Sequence, residues 1–575
     1  MSEPGRPFVL DAYAARSCPL KTVNAFTPSL VAPSLERPNP PFFRDADAIE
    51  ADIVSHLAGT DATVVDLRAR AALSAEEARA ACLQAMADRV DVIVGGLLPA
   101  DTEHHRVGRP SLLIRCSATG RGYHPVQIKF HKVLQTCPLD APPLVASTLR
   151  APRAPREIPG RSFRWRTRLN AALQVAHYWR LLEACGFAAA DPWAGLIGID
   201  RINTAPDGER AVVEPVICWL DLGDVRVPSN PHTVEVPAEA PLLSTLERYD
   251  HEHAFRVDLA ERALVSSGQE QLLTPIISPE CRGCVWQPHC QAQLDADDLS
   301  VRISKAPLDV HEVLTLRGLG VSTVGELAEA DLDALLERYL PRASHREDGE
   351  ARLRRAHQRA QMMHAGVELE RTDDEPLDLP RHPLEIDIDI ETSADDRVYL
   401  WGFWVDDADA GPPVYREFSA FRALDEAGEA ALAASALGWL RAATTGRDAA
   451  VYHYSDYETI RIGRLASRLP SDLAGWAAEA TASLFVDLFA LVRAHYLGAN
   501  GLGLKVVASA VTGFAWRDED PGGLNSQSWF ADAVGHADAG VRELARVRVL
   551  EYNEDDVRAT WHLRRWLREQ ESGAS

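Results

Sequence analysis

No apolar run in this chain of 575 residues is long enough to cross a bilayer, which takes about 20 consecutive apolar residues. Met1–Leu20 also lacks the basic-then-apolar layout of a signal peptide. The expectation is a cytoplasmic protein with no membrane partner. Positive charge is scarce too: 60 Lys and Arg stand against 84 Asp and Glu, a net charge of −24 at pH 7. That balance excludes a uniformly basic nucleic-acid binder but not local basic stripes, because phosphate binding follows local potential. The cysteines lack the pattern of a disulfide framework. Nine of them, an odd number in a large chain, point to metal binding or plain core use.

The length implies about two to four domains. Arginines gather in two places. Arg150, Arg153, Arg156, Arg161, Arg164, Arg166 and Arg168 share a segment in which Glu157 is the sole acid, and Arg352, Arg354, Arg355 and Arg359 form a second group. Either group suits phosphates or a solvated face.

The most informative stretch is Leu384–Thr392, L-E-I-D-I-D-I-E-T. Alternate residues of a strand face opposite ways, so Ile386, Ile388 and Ile390 share a core face. Glu385, Asp387, Asp389 and Glu391 share the other. Stacked carboxylates repel unless something positive compensates, and a divalent cation does so through oxygen ligands. An acidic, solvated face is the alternative.

In the first half, helices are expected over residues 11–28, 45–57 and 73–90. Strands are expected at Val90–Leu97, Gly108–Arg115 and Tyr123–Lys129, with a further helix at Leu169–Ala184. That helix carries Gln174 and Tyr178 one turn apart. This order resembles the RecB-type branch of the P-D-(D/E)xK nucleases, including iron–sulfur members, and implies a restriction-endonuclease-like α/β core. The resemblance assigns the helix glutamate to Glu50, the lysine to Lys129 and the Q-x-x-x-Y pair to Gln174 and Tyr178. Two acids of the pattern are replaced, by Ser111 after Gly108-Arg109-Pro110 and by Gln127 before Lys129. Both replacements are neutral, weak Mg²⁺ ligands, so a degenerate, silent nuclease site is expected. Lys129, Gln174, Tyr178, Arg161, Arg164, Arg166 and Arg168 are then candidates for nucleic-acid binding.

Cys281-x-x-Cys284-x5-Cys290 offers three thiols at metal-binding spacing. The same resemblance adds Cys18 of Cys18-Pro19 and implies a 4Fe–4S cluster. Zinc, with His289 or His253 replacing a thiol, is the alternative. Cys82, Cys116, Cys137, Cys185 and Cys218 read as core.

Residues 309–335 suggest a helix, a Gly318-x-Gly320 turn and a second helix capped at Ser322 or Thr323. The pattern is similar to a helix-hairpin-helix or to a simple packing hairpin. A basic helix (Glu350–His364) and the Pro-rich Thr372–Pro383 follow. The expected domains are residues 1–295, a helical segment at 296–378, and 379–575.

Beyond the acidic strand, strands are expected at Val398–Val405, Ala449–Glu458 and Leu484–Leu488. A helix starts at Leu504-Lys505 and a last one opens at Tyr552. These pieces resemble the YprB-like RNase H-fold 3′–5′ exonucleases with four acidic residues. Asp389-x-Glu391 fits the first motif, His453–Glu458 the second and Tyr552-x-x-x-Asp556 the third; Gly513–Gly523 fits as well. Glu458 stands where the family usually has Asp, with Asp456 as the other candidate. The resemblance implies two Mg²⁺ or Mn²⁺ ions about 4 Å apart, held by Asp389, Glu391, Glu458 and Asp556. Tyr552 would orient the attacking water, while His453 and Lys505 read either as structural residues or as phosphate contacts.

The sequence thus leads to an α/β multidomain nuclease acting as a 3′–5′ exonuclease on single-stranded DNA in repair or defence. Its RecB-like half would be a silent platform, with a helicase or another repair or defence protein as partner. The alternatives are a non-catalytic nucleic-acid-binding adaptor and an RNA-processing nuclease.

Overall fold

The computed structural model describes residues 8–32, 41–58, 62–68, 74–118, 120–137, 143–204, 212–228, 242–266, 271–343, 346–519 and 522–572. The chain divides into two compact units. The first is Met1–Ala296 with Asp309–Gly320 and Leu335–Gly349; the second is Asp297–Leu308, Val321–Ala334 and Glu350–Ser575. The expected helical domain at 296–378 is therefore parcelled between the two units. Its helices Val310–Gly318, Val324–Glu329 and Leu332–Tyr339 bury Leu316, Leu327 and Leu336. The expected cap is present: Thr323 and Glu326 form a reciprocal capping box.

The first unit is built on an eight-stranded sheet in the order Val64–Asp66, Val92–Val94, Leu112–Arg115, Tyr123–Ile128, Trp193–Ile197, Val216–Asp221, Leu144–Thr148, Arg156–Ile158. Tyr123–Ile128 pairs antiparallel with Leu112–Arg115 and parallel with Trp193–Ile197, which the chain reaches through the helix Trp165–Ala184. Alternate strand residues feed two cores. Ile197 and Ile217 pack with Ile53 and Leu57 of the helix Pro41–Ala58, while Leu196 and Cys218 pack with Val175 and Ala176 of Trp165–Ala184. The strand expected over Val90–Leu97 is confined to Val92–Val94, because the chain turns at Gly95 with φ +64°.

The second unit holds a five-stranded sheet in the order Val414–Ser419, Val398–Asp407, Leu384–Thr392, Ala449–His453, Phe485–Asp487. The acidic strand is central, antiparallel to Val398–Asp407 and parallel to Ala449–His453. As alternation requires, Ile386, Ile388 and Ile390 are buried with Leu437 and Leu440 of the helix Glu426–Thr444. The last helix runs from Ala539 to Ser572, so Tyr552 lies inside it rather than at its start. The stretch before Tyr552, V-R-E-L-A-R-V-R-V-L-E, contains no Gly or Pro to stop a helix. The strand before the second acidic motif ends at His453, and Glu458 falls on the following helix, Tyr457–Leu465.

Candidate metal centre

The acidic face of the central strand is split in two by its partners. Glu385 and Asp387 meet Arg564 and Arg568, one turn apart on the last helix. Arg564 Nη2 lies 2.9 Å from Asp387 Oδ2 and Arg568 Nη2 lies 2.6 Å from Glu385 Oε1. Both guanidiniums also lie over the Tyr452 ring, at 4.4 and 5.6 Å from its centroid. Burial pushes the Glu385 carboxyl up, but Arg568 and Arg564 outweigh it and hold the group below its ordinary value. Asp387 is pushed up to about 6 by burial, against the pull of Arg564.

Among the described residues, no arginine pairs with Asp389 or Glu391. One oxygen from each, together with one from Asp556 on the last helix, forms a group within 4.8 Å of one another. Neutral donors fix each carboxylate. Asn553 Nδ2 donates to Asp389 Oδ2 (2.6 Å), Ser526 Oγ to Glu391 Oε2 (2.7 Å) and Trp516 Nε1 to Asp556 Oδ1 (2.6 Å). Anchoring of this kind orients ligands for a cation. Burial, reinforced by Asp556 and Glu391, raises the Asp389 carboxyl well above its usual range. Burial likewise pushes Glu391 up to about 8 and raises Asp556. Carboxylates so placed need a compensating positive charge, and an oxygen-seeking divalent cation fits the donor set.

Lys505 lies in the first turn of the helix Leu504–Thr512. Its Nζ donates to Tyr552 Oη (2.9 Å) and lies 3.3 Å from Asp556 Oδ1. The Tyr552 phenol is raised by burial and by Asp556, Glu391 and Asp389, so it keeps its proton. Glu458 is also buried and also raised, chiefly by burial. Its Oε2 takes no hydrogen bond and lies 3.7 Å from His453 Nδ1, outside the close group of three. His453 in turn bonds the carbonyl of Ser455, which sits at φ +95° in the turn before the helix. Asp456, the other candidate for the fourth acid, is exposed.

Residues 387–568 match the model of a family described as the RNase H superfamily. The second unit carries an RNase H-like domain. The match spans every residue of the acidic centre, from Asp389 to Asp556. An RNase H-like domain suggests a nuclease, and such nucleases typically use divalent metals. The comparisons with curated proteins and with solved structures found no match. Among the described residues, no helix is long and apolar enough to cross a membrane.

Outside the RNase H-like domain, the first unit brings together several expected residues but changes their meaning. Lys129 donates to Gln174 Oε1, and Gln174 Nε2 donates to Tyr178 Oη at 3.2 Å. All three are buried. Burial and nearby Arg16 lower the Lys129 amine to about 7. Ser111 Oγ accepts from Ile128 N, Gln127 Oε1 is buried without a partner, and Glu50 is ion-paired to Arg68 (3.0 Å).

The arginine segment is largely committed to its own fold. Arg153 pairs with Asp91 and Arg156 donates to the Thr204 carbonyl. Arg164 donates to the Leu134 carbonyl (2.7 Å) and Arg168 to that of Lys132 (3.0 Å). Arg161 is half-buried, and the Arg166 side chain lies outside the described residues. In the second group, Arg352 and Arg359 bond backbone carbonyls within their own unit.

Cys18, Cys281, Cys284 and Cys290 line one cavity of about 20 Å³. Ser278 N donates to Cys281 Sγ (3.4 Å) and Asn24 Nδ2 to Cys290 Sγ (3.6 Å). Neither histidine offered as a substitute lines this cavity. His253 bonds the His104 carbonyl and stacks on Tyr249, while His289 packs against Trp286. Cys82 and Cys218 are core as expected, whereas Cys116, Cys137 and Cys185 are only half-buried.

Asn553, Ser526 and Trp516 were not singled out from the sequence. Asn553 had a signal: it follows Tyr552 directly, and Gly402 stands opposite Asp389 in the sheet, leaving room for its amide.

Proposed function

We propose that the chain is a divalent-metal-dependent nuclease that trims single-stranded DNA from its 3′ end, with catalysis in the RNase H-like domain. One observation carries the reading. On a single strand face, two acids are neutralised by buried arginines, while the next two join Asp556 in a group with no guanidinium among the described residues. A divalent cation bound there lowers the pKa of a coordinated water and neutralises charge developing on the phosphate.

The residues around the centre have separable tasks. Asp389, Glu391 and Asp556 hold the ion, and Asn553, Ser526 and Trp516 keep them oriented. Tyr552, held protonated, orients the water and does not act as its base. Lys505 brings a positive charge to the tyrosine hydroxyl, where a phosphate oxygen can meet it.

The first unit is read as a silent RecB-like platform. Neutral Ser111 and Gln127, weak ligands for Mg²⁺, and Glu50, ion-paired to Arg68, support this. The four cavity-lining thiols with N–H···S donors suit a 4Fe–4S cluster. The preference for a cluster over zinc comes from the family resemblance, and iron, sulfide and zinc analysis of anaerobically purified protein tests it.

The nuclease reading is tested with a 5′-labelled single strand, made once as DNA and once as RNA, incubated with Mn²⁺. A ladder shortening from the 3′ end, faster on DNA, is expected. Release of the labelled terminal nucleotide first overturns the polarity, and faster cleavage of RNA overturns the substrate. Binding without cleavage of either strand makes the chain a non-catalytic adaptor.

A further inference from the structure

We propose that the acidic centre binds one divalent cation per chain and that the Lys505 ammonium stands in the place of a second. The inference rests on the metal-nuclease reading above and adds its stoichiometry. One oxygen each from Asp389, Glu391 and Asp556 lies within 4.8 Å of the others, a span that one shared ion fills. The fourth carboxylate, Glu458, lies outside that group and faces His453.

Asp556, one of the three ligands, is already met by a cation of this chain's own. Lys505 Nζ lies 3.3 Å from Asp556 Oδ1 and 2.9 Å from Tyr552 Oη. The ammonium is held in place by aromatic faces, 4.7 Å from the Tyr552 centroid and 5.4 Å from that of Trp516. Trp516 Nε1 donates to the same Asp556 oxygen, so ring, lysine and carboxylate fix one another.

The charges agree with this arrangement. Three carboxylates converge, Lys505 cancels one, and the remaining two negative charges match one divalent ion. A second divalent ion on Asp556 would sit close to the ammonium, where repulsion in a poorly solvated site is steep. Lys505 thus supplies a fixed positive charge beside the tyrosine hydroxyl.

The test counts Mn²⁺ bound to the full chain by electron paramagnetic resonance, with Asp389→Asn as the blank for ions held elsewhere. Wild type is expected to bind one Asp389-dependent ion, Lys505→Arg also one, and Lys505→Met two. Thermal melting of each variant confirms that the domain is folded. Two Asp389-dependent ions in the wild type overturn the proposal and leave the nuclease reading standing. One ion in both wild type and Lys505→Met overturns the role given to Lys505. No Asp389-dependent ion overturns both the proposal and the metal-nuclease reading on which it rests.

Discussion

Gly402→Ala offers a sharp probe of the centre because the substitution touches no acidic residue. Gly402 lies opposite Asp389 on the neighbouring strand, and Asn553 fills the space its missing side chain leaves. A Cβ at position 402 would stand 1.7 Å from Asn553 Oδ1 and 2.7 Å from its Cγ. The amide must then move by about 1.3 Å or more to clear even a 3.0 Å contact. That movement breaks the 2.6 Å bond to Asp389 Oδ2 and the 2.7 Å bond that Tyr415 Oη donates to Asn553 Oδ1. A hydrogen bond to a charged group contributes about 1.5–3 kcal/mol, and loss of a ligand-orienting partner weakens metal affinity about 10–100-fold. Replacing glycine in a strand otherwise gains about 0.5–1 kcal/mol, which offsets only part of that loss, so the fold loses some stability along with its Mn²⁺ affinity. Calorimetric titration of Mn²⁺ into wild type, Gly402→Ala, Asn553→Ala and the double variant measures this. The two single substitutions should weaken binding alike and the pair should not add, because both remove one interaction. Binding by Gly402→Ala within about twofold of wild type, against the 10–100-fold expected, refutes the reasoning.

Three further outcomes follow from the buried charges. Burial raises Glu391 to about 8 from an ordinary 4.5, so the metal-free native state keeps a proton that the unfolded chain releases. Stability without metal therefore falls as pH rises across that window, and the melting-temperature gain from Mn²⁺ should be larger at about pH 8 than at about pH 5.5; equal gains refute it. Lys129 has the opposite sign: burial lowers it to about 7 from 10.5, so its contribution to stability rises with pH between those values. Lys129→Met should flatten that rise in denaturant titrations, and an unchanged slope contradicts the assignment. Arg564→Met leaves Glu385 and Asp387 short of their buried partner and should cost about 3–5 kcal/mol; a denaturation midpoint close to wild type excludes it.

The alternation in L-E-I-D-I-D-I-E-T is legible because a strand has period two, and its isoleucine face is the core it promises. The division of the other face is not legible. Glu385, Asp387, Asp389 and Glu391 look equivalent in the sequence, and what separates them is Arg564 and Arg568, brought in by a helix far along the chain. Arginines at that spacing read as a solvated helix face until the helix is docked. Ser526 and Trp516 are missed for a similar reason, since a serine and a tryptophan declare no acceptor in advance. The arginine-rich segment reads as a phosphate stripe, yet backbone carbonyls of Leu134, Lys132 and Thr204 take up its donors. The Tyr552-x-x-x-Asp556 motif alone suggests a helix start at Tyr552, because it says nothing of the helix-forming residues before it.

The most direct measurement follows cleavage of a 5′-labelled single-stranded DNA with Mn²⁺ by the wild type, Asp389→Ala and Lys129→Ala. Laddering abolished by Asp389→Ala and retained by Lys129→Ala is the predicted result, because the acidic centre holds the ion while Lys129 is buried against Gln174. Cleavage that survives Asp389→Ala and disappears in Lys129→Ala would contradict the account and place the chemistry in the first unit.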